Sequence, residues 1–150
     1  MKFTVRKCTD ADLSSLAVIF DKYRQFYRQE SNVEAAEKFL RERFVGMESV
    51  VFIAVSEQDG QLLGFAQLYP LFSSVNMRST WLLNDLYVDP AARRLGVGRS
   101  LLDASEEFGR QSGAIGIELE TEKSNENAKA LYENQNWVRD VDHDRYSLSL

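Results

Sequence analysis

A strand, a basic turn and an amphipathic helix follow one another in residues 86–102 of the chain. The turn and the start of the helix combine glycines with arginines, namely Arg93, Arg94, Gly96, Gly98 and Arg99. The first N–H groups of a helix have no partner inside the helix, and the helix dipole adds positive potential at the same end. Because glycine has no side chain, a phosphate group could approach this backbone closely. The segment therefore predicts a strand–turn–helix unit whose turn binds an anion.

The spacing of the glycines separates this turn from the common nucleotide-binding turns. A Walker A turn has Lys and then Ser or Thr after its second glycine, whereas Arg99 and Ser100 follow Gly98 here. A dinucleotide-binding turn has a third glycine, and Leu101 stands at that position. The pattern is instead R-x-x-G-x-G, which starts at Arg93. A plain connection with solvated arginines, or a nucleotide-binding domain of another class, is the alternative.

A second motif lies in residues 125–137, which read N-E-N-A-K-A-L-Y-E-N-Q-N-W. This segment and the R-x-x-G-x-G turn, in this order, resemble the GNAT superfamily of N-acetyltransferases. The family pattern is N-x-x-A-x-x-L-Y-x-x-x-G-F, and the chain has Asn136 and Trp137 where the family has Gly and Phe. Asparagine is the next best residue after glycine in a left-handed helix cap, so we interpret this departure as a tolerated variant.

The resemblance implies that the acyl donor is acetyl-coenzyme A. In the family the turn cradles the pyrophosphate, the preceding strand end pairs through its backbone with the pantetheine amides, and an asparagine contacts coenzyme A. The residues at the corresponding positions are Leu86, Tyr87, Val88, Arg93, Arg94, Leu95, Gly96, Val97, Gly98, Arg99, Ser100 and Asn125. For Asn125, a role as nothing more than the N-cap of its helix is the alternative.

Tyr132 takes the position of the family tyrosine that protonates the departing thiolate. A phenol with a reference pKa of about 10 is protonated at neutral pH and can donate a proton. The alternative is that Tyr132 is a core aromatic residue on an amphipathic helix.

Asp85 is the candidate for the group that removes a proton from the attacking amine, which is mostly charged at neutral pH. Alternation along the strand places Asp85 and Tyr87 on one face and Asn84, Leu86 and Val88 on the other. An equally weighted alternative makes Asp85 a structural partner for a nearby N–H group or arginine.

The acceptor side resembles the diamine and polyamine branch of the superfamily in Gly64–Ala66, in residues 83–88 and at Lys22 and Tyr23. Where that branch has acidic residues, the chain has Arg24 and Asn84. The expected substrate-binding residues are Tyr23, Arg24, Tyr27 and Asn84. We expect a small primary amine, such as an amino acid or a polyamine, as the acceptor. A protein amine as acceptor, or a catalytically silent acyl-CoA-binding regulatory module, is the alternative.

Hydrophobic periodicity predicts the element order β-α-α-β-β-β-α-β-α-β, with a further small strand near Trp137–Val138. The expected strands include residues 115–120 and a last strand over Arg145–Leu150, and Pro70 marks a strand end or an edge. The fold class is therefore α/β (α+β), with a mixed, mostly antiparallel sheet of roughly six to seven strands and about four helices on its faces. This order is also that of the GNAT fold.

At 150 residues the chain is expected to form a single domain spanning 1–150. Its only cysteine, Cys8, and its only histidine, His143, make a Cys/His metal site untenable. The net charge of −5 argues against nucleic-acid binding, and no apolar run approaches the ~20 residues of a membrane span. We expect a cytoplasmic protein without a metal, and the resemblance implies a homodimer.

Overall fold

The computed structural model describes residues 1–150, which form two compact units, Met1–Glu120 and Thr121–Leu150. The first unit contains, in chain order, β1 (Phe3–Lys7), α1 (Leu13–Phe26), α2 (Val33–Val45), β2 (Val50–Ser56), β3 (Leu62–Ser73), β4 (Arg78–Val88), α3 (Val97–Gln111) and β5 (Ile117–Glu118). The second unit contains one helix, α4 (Glu126–Asn134). No helix combines the length and the apolar character that crossing a membrane requires.

The five strands form one sheet in the order β1-β2-β3-β4-β5. Neighbouring strands are antiparallel except β4 and β5, which are parallel and are connected through α3. The predicted mixed, mostly antiparallel sheet with four helices is therefore confirmed, but the number of strands is five and not six to seven.

The missing strands are those expected at Trp137–Val138 and Arg145–Leu150, and both predictions were wrong. Residues 138–150 contain no helix or strand, and the apolar side chains of the expected last strand are exposed, with Tyr146 at 90% and Leu148 at 84%. Alternation of polar and apolar residues marks a strand only where a neighbouring strand pairs with its backbone and one face is buried. Neither condition is met here.

Pro70 lies inside β3, where it faces Trp81 of β4. The pairing of β3 with β2 ends at Leu68, so the side of β3 away from β4 is a sheet edge at Pro70. Proline lacks an N–H group and is tolerated in a strand at such an edge. The edge interpretation of this proline is therefore confirmed, whereas the strand itself continues to Ser73. The strand expected over residues 115–120 is shortened to Ile117–Glu118.

Helices cover both faces of the sheet in the first unit. On one face, α1 and α2 pack through residues such as Phe20 and Leu40 against a core that includes Phe65. On the other face, Phe108 of α3 contacts the rings of Phe52 and Trp81. Because helices pack on both faces of the sheet at β3 and β4, residues on these two strands can be buried on either face.

Candidate active site

A β-bulge in β4 decides which residues of that strand face α1. Gln67 of β3 faces Asp85, but the next residue, Leu68, faces Leu83, so Asn84 is the extra residue. A shift of one residue sends the following side chains to the opposite face of a strand. Leu83 therefore lies on the face that packs against α3, whereas Asp85 lies on the face that packs against α1. The prediction that Asp85 and Tyr87 share a face is confirmed.

Asp85 is buried, with 6% of its surface exposed, and two side chains donate hydrogen bonds to its carboxylate. Nε2 of Gln67 donates to Oδ2 over 2.7 Å, and Nδ2 of Asn84 donates to Oδ1 over 3.0 Å. The hydroxyl group of Tyr23 on α1 also lies near this carboxylate. Burial raises the pKa of Asp85, and Gln67, Tyr23 and Asn84 partly oppose that effect because they stabilise the charged form. The result is a carboxylate held in a defined orientation with an increased affinity for a proton.

Tyr23 and Tyr27 belong to an aromatic cluster on the last turns of α1. The Tyr23 ring meets Tyr27 edge-on at 5.1 Å and Phe65 edge-on at 5.6 Å, and it lies 6.0 Å from the Tyr87 ring. Burial and the neighbouring Asp85 charge raise the pKa of Tyr23, so its phenol stays protonated. The ring contacts hold Tyr23 over β3 and β4, near Asp85.

Arg24 makes its interactions close to its own helix. Its Nη1 atom lies 3.7 Å from Oδ1 of the buried Asp21 and donates to the backbone oxygen of Glu30 over 3.2 Å. Asp21 also accepts hydrogen bonds from Ser31 and from the backbone N–H of Asn32, both over 2.7 Å. The positive charge of Arg24 is therefore balanced by an acidic neighbour at the end of α1.

The turn after β4 is built on Asp89. Its Oδ1 accepts from the backbone N–H of Ala91 over 3.0 Å, and its Oδ2 pairs with Nζ of Lys22 on α1 over 2.8 Å. A short 3-10 turn over Pro90–Ala92 follows, and Nε of Arg93 donates to the Val88 oxygen over 3.2 Å. These bonds connect the turn to α1 and to the end of β4.

The start of α3 has the features that an anion site requires. The α3 backbone ladder begins with Ser100 N–H donating to Gly96 oxygen over 3.0 Å, which leaves the N–H groups of residues 97–99 without partners in the helix. Gly96 has a φ of 83°, and a Cβ atom there would meet nothing within 4 Å. The side chains of Arg93, Arg94 and Arg99 are exposed around this turn. Donor groups, open space and positive charge all fit a phosphate-bearing group such as the pyrophosphate of coenzyme A.

The remaining residues of the turn differ in burial. Val97 is buried and packs into the core, Gly98 and Ser100 are half-buried, and Leu95 is 43% exposed. Arg94 has a φ of 63°, a left-handed conformation that Gly96, two residues later, also adopts.

The outer edge of β4 is open within the first unit. β5 pairs only with Trp81 and Leu82, so the backbone groups of Leu86–Val88 on that side have no strand neighbour. The Tyr87 side chain is buried among α1 residues, which leaves the backbone as the part of this segment that a ligand could reach. An open strand edge is a template on which an extended ligand can form backbone hydrogen bonds.

In the second unit, Asn125 and Tyr132 lie at opposite ends of α4. Oδ1 of Asn125 caps the helix by accepting from the Ala128 N–H over 3.2 Å, so its Nδ2 group is the part left to contact a ligand. At the other end Asn136 has a φ of 66°, and the N–H of Trp137 donates to the Tyr132 oxygen over 3.0 Å while the N–H of Asn136 donates to the Glu133 oxygen over 3.1 Å. This pair of bonds is a Schellman motif, and it confirms the left-handed cap predicted for Asn136. The motif sets the Trp137 ring 5.9 Å from the Tyr132 ring.

The structure thus brings together Asp85, Asn84 and Tyr23, with Tyr27 packed next to them, and it places the turn residues in one continuous segment after β4. Arg24 is directed to Asp21. Sequence reasoning missed Gln67, whose side chain is fully buried and whose Oε1 atom has no hydrogen-bond partner. The signal was a single amide side chain in an otherwise apolar strand, G-F-A-Q-L, where a buried polar group requires a partner.

Comparisons with known proteins agree with this geometry. A model of the acetyltransferase (GNAT) family matches residues 16–137. The chain is 42% identical over 146 residues, 97% of each chain, to the uncharacterized N-acetyltransferase YhfO of Bacillus subtilis. It is 37% identical over 99 residues, 65% of this chain and 63% of that protein, to the aminoglycoside N(6')-acetyltransferase type 1 of Klebsiella aerogenes. A crystal structure described as that of a probable acetyltransferase superposes with a TM-score of 0.91 at 37% identity, covering 100% of this chain and 98% of the other.

Proposed function

The chain belongs to the GNAT family of acetyltransferases, and we propose that it moves the acetyl group of acetyl-CoA to a primary amine of a small molecule. The observation that carries the proposal is the layout of β4. The strand presents a buried carboxylate at Asp85, then an open backbone edge at Leu86–Val88, and then the arginine- and glycine-rich turn. A carboxylate that can accept a proton and a backbone edge that can pair with an extended ligand therefore lie along β4, and the phosphate site follows directly after the strand.

The donor-binding part of the proposal rests on the turn and on the strand edge. Bound acetyl-CoA would supply the acetyl thioester that is attacked by the amine. The N–H groups at the start of α3, together with Arg93, Arg94 and Arg99, would hold phosphate oxygens through charge-assisted hydrogen bonds. The backbone of Leu86–Val88 would pair with the amides of the donor, and Nδ2 of Asn125 would donate to it.

The proposed chemistry needs an acid and a base. Tyr132 would act as the general acid, since a phenol remains protonated at neutral pH and can give a proton to a departing thiolate. Asp85 would accept the proton that leaves the amine, since burial raises the pKa of this carboxyl group. Residues 1–150 would form one acetyltransferase domain, which assembles as a homodimer.

A small amine is favoured over a peptide as the acceptor. Two relatives that share 37% and 38% identity with parts of the chain are named as an aminoglycoside acetyltransferase and a streptothricin acetyltransferase. The charge of Arg24 is balanced by Asp21, so it does not oppose a cationic acceptor near Tyr23, Tyr27 and Asn84. The net charge of −5 also favours the approach of a cationic acceptor.

The test combines donor binding with acetyl transfer. Coenzyme A should raise the unfolding temperature of the protein and ATP should not. Acetyl transfer is then screened over polyamines, amino acids, aminoglycosides and peptides, with mass spectrometry of the products. Tyr132→Phe should lower kcat by about 10²-fold to 10⁴-fold while coenzyme A still binds. A thermal shift with ATP and none with coenzyme A would reject the proposed donor. Acetylation of peptides and of no small amine would reject the proposed acceptor.

A further inference from the structure

An ion pair joins α1 to the turn after β4. Nζ of Lys22 lies 2.8 Å from Oδ2 of Asp89, although the two residues are 67 positions apart in the chain. The other carboxylate oxygen, Oδ1, accepts the Ala91 N–H over 3.0 Å, and the Asp89 N–H donates to the Leu63 oxygen of β3 over 2.9 Å. Asp89 is therefore fixed to β3 through its backbone and to α1 through its side chain, at the residue where the turn begins.

A carboxylate at the start of an anion-binding turn needs an explanation. The negative charge of Asp89 lies close enough to the guanidinium group of Arg93 for the two charges to interact. By its charge alone, a carboxylate here weakens the attraction of the turn for phosphate oxygens. A role in holding the backbone of the turn explains why Asp89 is present, and Lys22 offsets its charge.

The bonds around Asp89 are those of a residue that positions the turn. The Asp89 side chain is the less exposed partner of the ion pair, at 21% against 52% for Lys22. The N–H of the buried Ala92 donates to the Asp89 backbone oxygen over 2.8 Å, next to the bond from Ala91 to the side chain. A displacement of Asp89 therefore displaces the backbone that leads to Arg93 and to the start of α3.

We propose that Lys22 and Asp89 are positioning residues of the donor site. Their ion pair holds the turn in the conformation in which the N–H groups at the start of α3 and the arginines of the turn meet the phosphate oxygens. This inference rests on the proposed binding of acetyl-CoA, and it adds two residues that act on the donor through the turn. Lys22 directly precedes Tyr23 on α1, so the same pair connects the helix of the proposed acceptor site with the turn of the donor site.

Charge and position predict different results when each side chain is neutralised. If the two side chains acted only through their charges, Lys22→Met would weaken the binding of an anionic ligand and Asp89→Asn would strengthen it. If they position the turn, both substitutions weaken binding, because each removes the same ion pair. Asparagine keeps an oxygen that can accept the Ala91 N–H, so Asp89→Asn removes the pair and leaves the cap in place.

The test measures coenzyme A binding by calorimetric titration, together with initial rates for an amine that the wild type acetylates. For Lys22→Met and for Asp89→Asn, we expect the Kd of coenzyme A to rise about twofold to fivefold. KM for acetyl-CoA should rise by a similar factor with a smaller change in kcat, because phosphate contacts act equally on the ground state and the transition state. The double variant should lose no more affinity than either single variant. Lys22→Arg keeps a cation for Asp89 and should restore the affinity of the wild type.

Arg6 and Asp12 provide a matched control pair. Their contact is 2.7 Å, their side chains are 47% and 14% exposed, and Arg6 lies on β1, at the opposite edge of the sheet from β5. Arg6→Met and Asp12→Asn should lower the unfolding temperature while coenzyme A binds as it does to the wild type.

The outcomes separate this inference from the proposed function. An unchanged Kd in Lys22→Met and Asp89→Asn, shifts in opposite directions, or an equal loss of affinity in the control variants overturns the positioning role alone. A wild-type protein that does not bind coenzyme A overturns the proposed donor itself.

Discussion

Gln67 and Asp85 face each other directly across β3 and β4, and the Gln67 amide donates to the Asp85 carboxylate over 2.7 Å. Both side chains are buried, so the hydrogen bond is shielded from water. A buried carboxylate is costly unless hydrogen bonds stabilise its charge. The pair therefore sets how readily Asp85 accepts a proton, which is the property on which the proposed base depends.

Gln67→Leu should raise the pKa of Asp85, because the carboxylate loses a donor while its burial remains. A carboxyl-carbon NMR titration measures this pKa directly. Gln61→Leu, at an exposed position just before β3, is the control and should leave the pKa of Asp85 unchanged. An identical Asp85 titration in Gln67→Leu and the wild type would show that Gln67 does not stabilise the charged form.

Asp85→Asn should become more stable relative to the wild type as the pH rises. Burial raises the folded-state pKa of Asp85 above its usual value of about 4, so the folded state holds more protons than the unfolded state in that window. The unfolding free energy of the wild type therefore falls as the pH rises from about 4 through the folded-state pKa of Asp85. The asparagine side chain of the variant does not titrate, and urea unfolding at a series of pH values measures the difference.

Asp12→Asn is the matched control with the opposite sign. Two hydrogen bonds from Arg6, of 2.7 Å and 2.9 Å, hold the pKa of Asp12 well below its usual range. The charge of Asp12 therefore stabilises the folded state above about pH 4, and this stabilisation is lost as the pH falls below its usual pKa. Asp12→Asn should lose stability relative to the wild type as the pH rises. If the stability of both variants relative to the wild type changed in the same direction with pH, the raised pKa of Asp85 and the lowered pKa of Asp12 would be contradicted.

Gly96→Ala and Gly113→Ala should cost similar stability but differ in coenzyme A binding. Both glycines have a positive φ, 83° and 77°, and a Cβ atom at either would meet nothing within 4 Å. The strain of an L-residue in this conformation is about 1–2 kcal/mol at each site. Only Gly96 lies in the proposed phosphate turn, so calorimetric titration should show weaker coenzyme A binding for Gly96→Ala alone. Equal affinities for the two variants would remove Gly96 from the donor site.

Asn136→Gly should stabilise α4, and Asn136→Ala should destabilise it. The Schellman motif requires the left-handed φ of 66° that Asn136 adopts, and glycine adopts this conformation without strain. Relief of left-handed strain, about 1–2 kcal/mol at most, is partly offset by the greater freedom of glycine in the unfolded chain, so we expect a small net gain. The thermal transition is followed by Trp137 fluorescence in a Trp81→Phe background. A loss of stability in Asn136→Gly would contradict the assigned cap.

Local signals in the sequence were sufficient for the features that depend on a few neighbouring residues. The turn at Arg93–Gly98, the cap at Asn125 and the left-handed Asn136 each follow from short-range geometry, and each is present in the structure. The parallel pairing of β4 with β5 follows from the helix between them.

The features that depend on strand pairing could not be read from the sequence. The bulge at Asn84 exists only through the register of β4 against β3, and it turns Leu83 to the face opposite Asp85. Gln67 is 18 residues away from Asp85 in the chain, and Tyr23 lies farther away on the first helix, so no local pattern links these two side chains to the carboxylate. The bond from Arg24 to the Glu30 backbone oxygen likewise depends on the loop after α1, whereas its pairing with Asp21, three residues earlier on the same helix, is local.

The most direct test of the proposed acetyl transfer is continuous measurement of free thiol released from acetyl-CoA, with and without a small primary amine. The panel contains polyamines, aminoglycosides and amino acids, with peptides as the competing class. We predict thiol release that requires the amine, with one acetylated small amine formed for each thiol released. Thiol release that no small amine increases would contradict the proposed function.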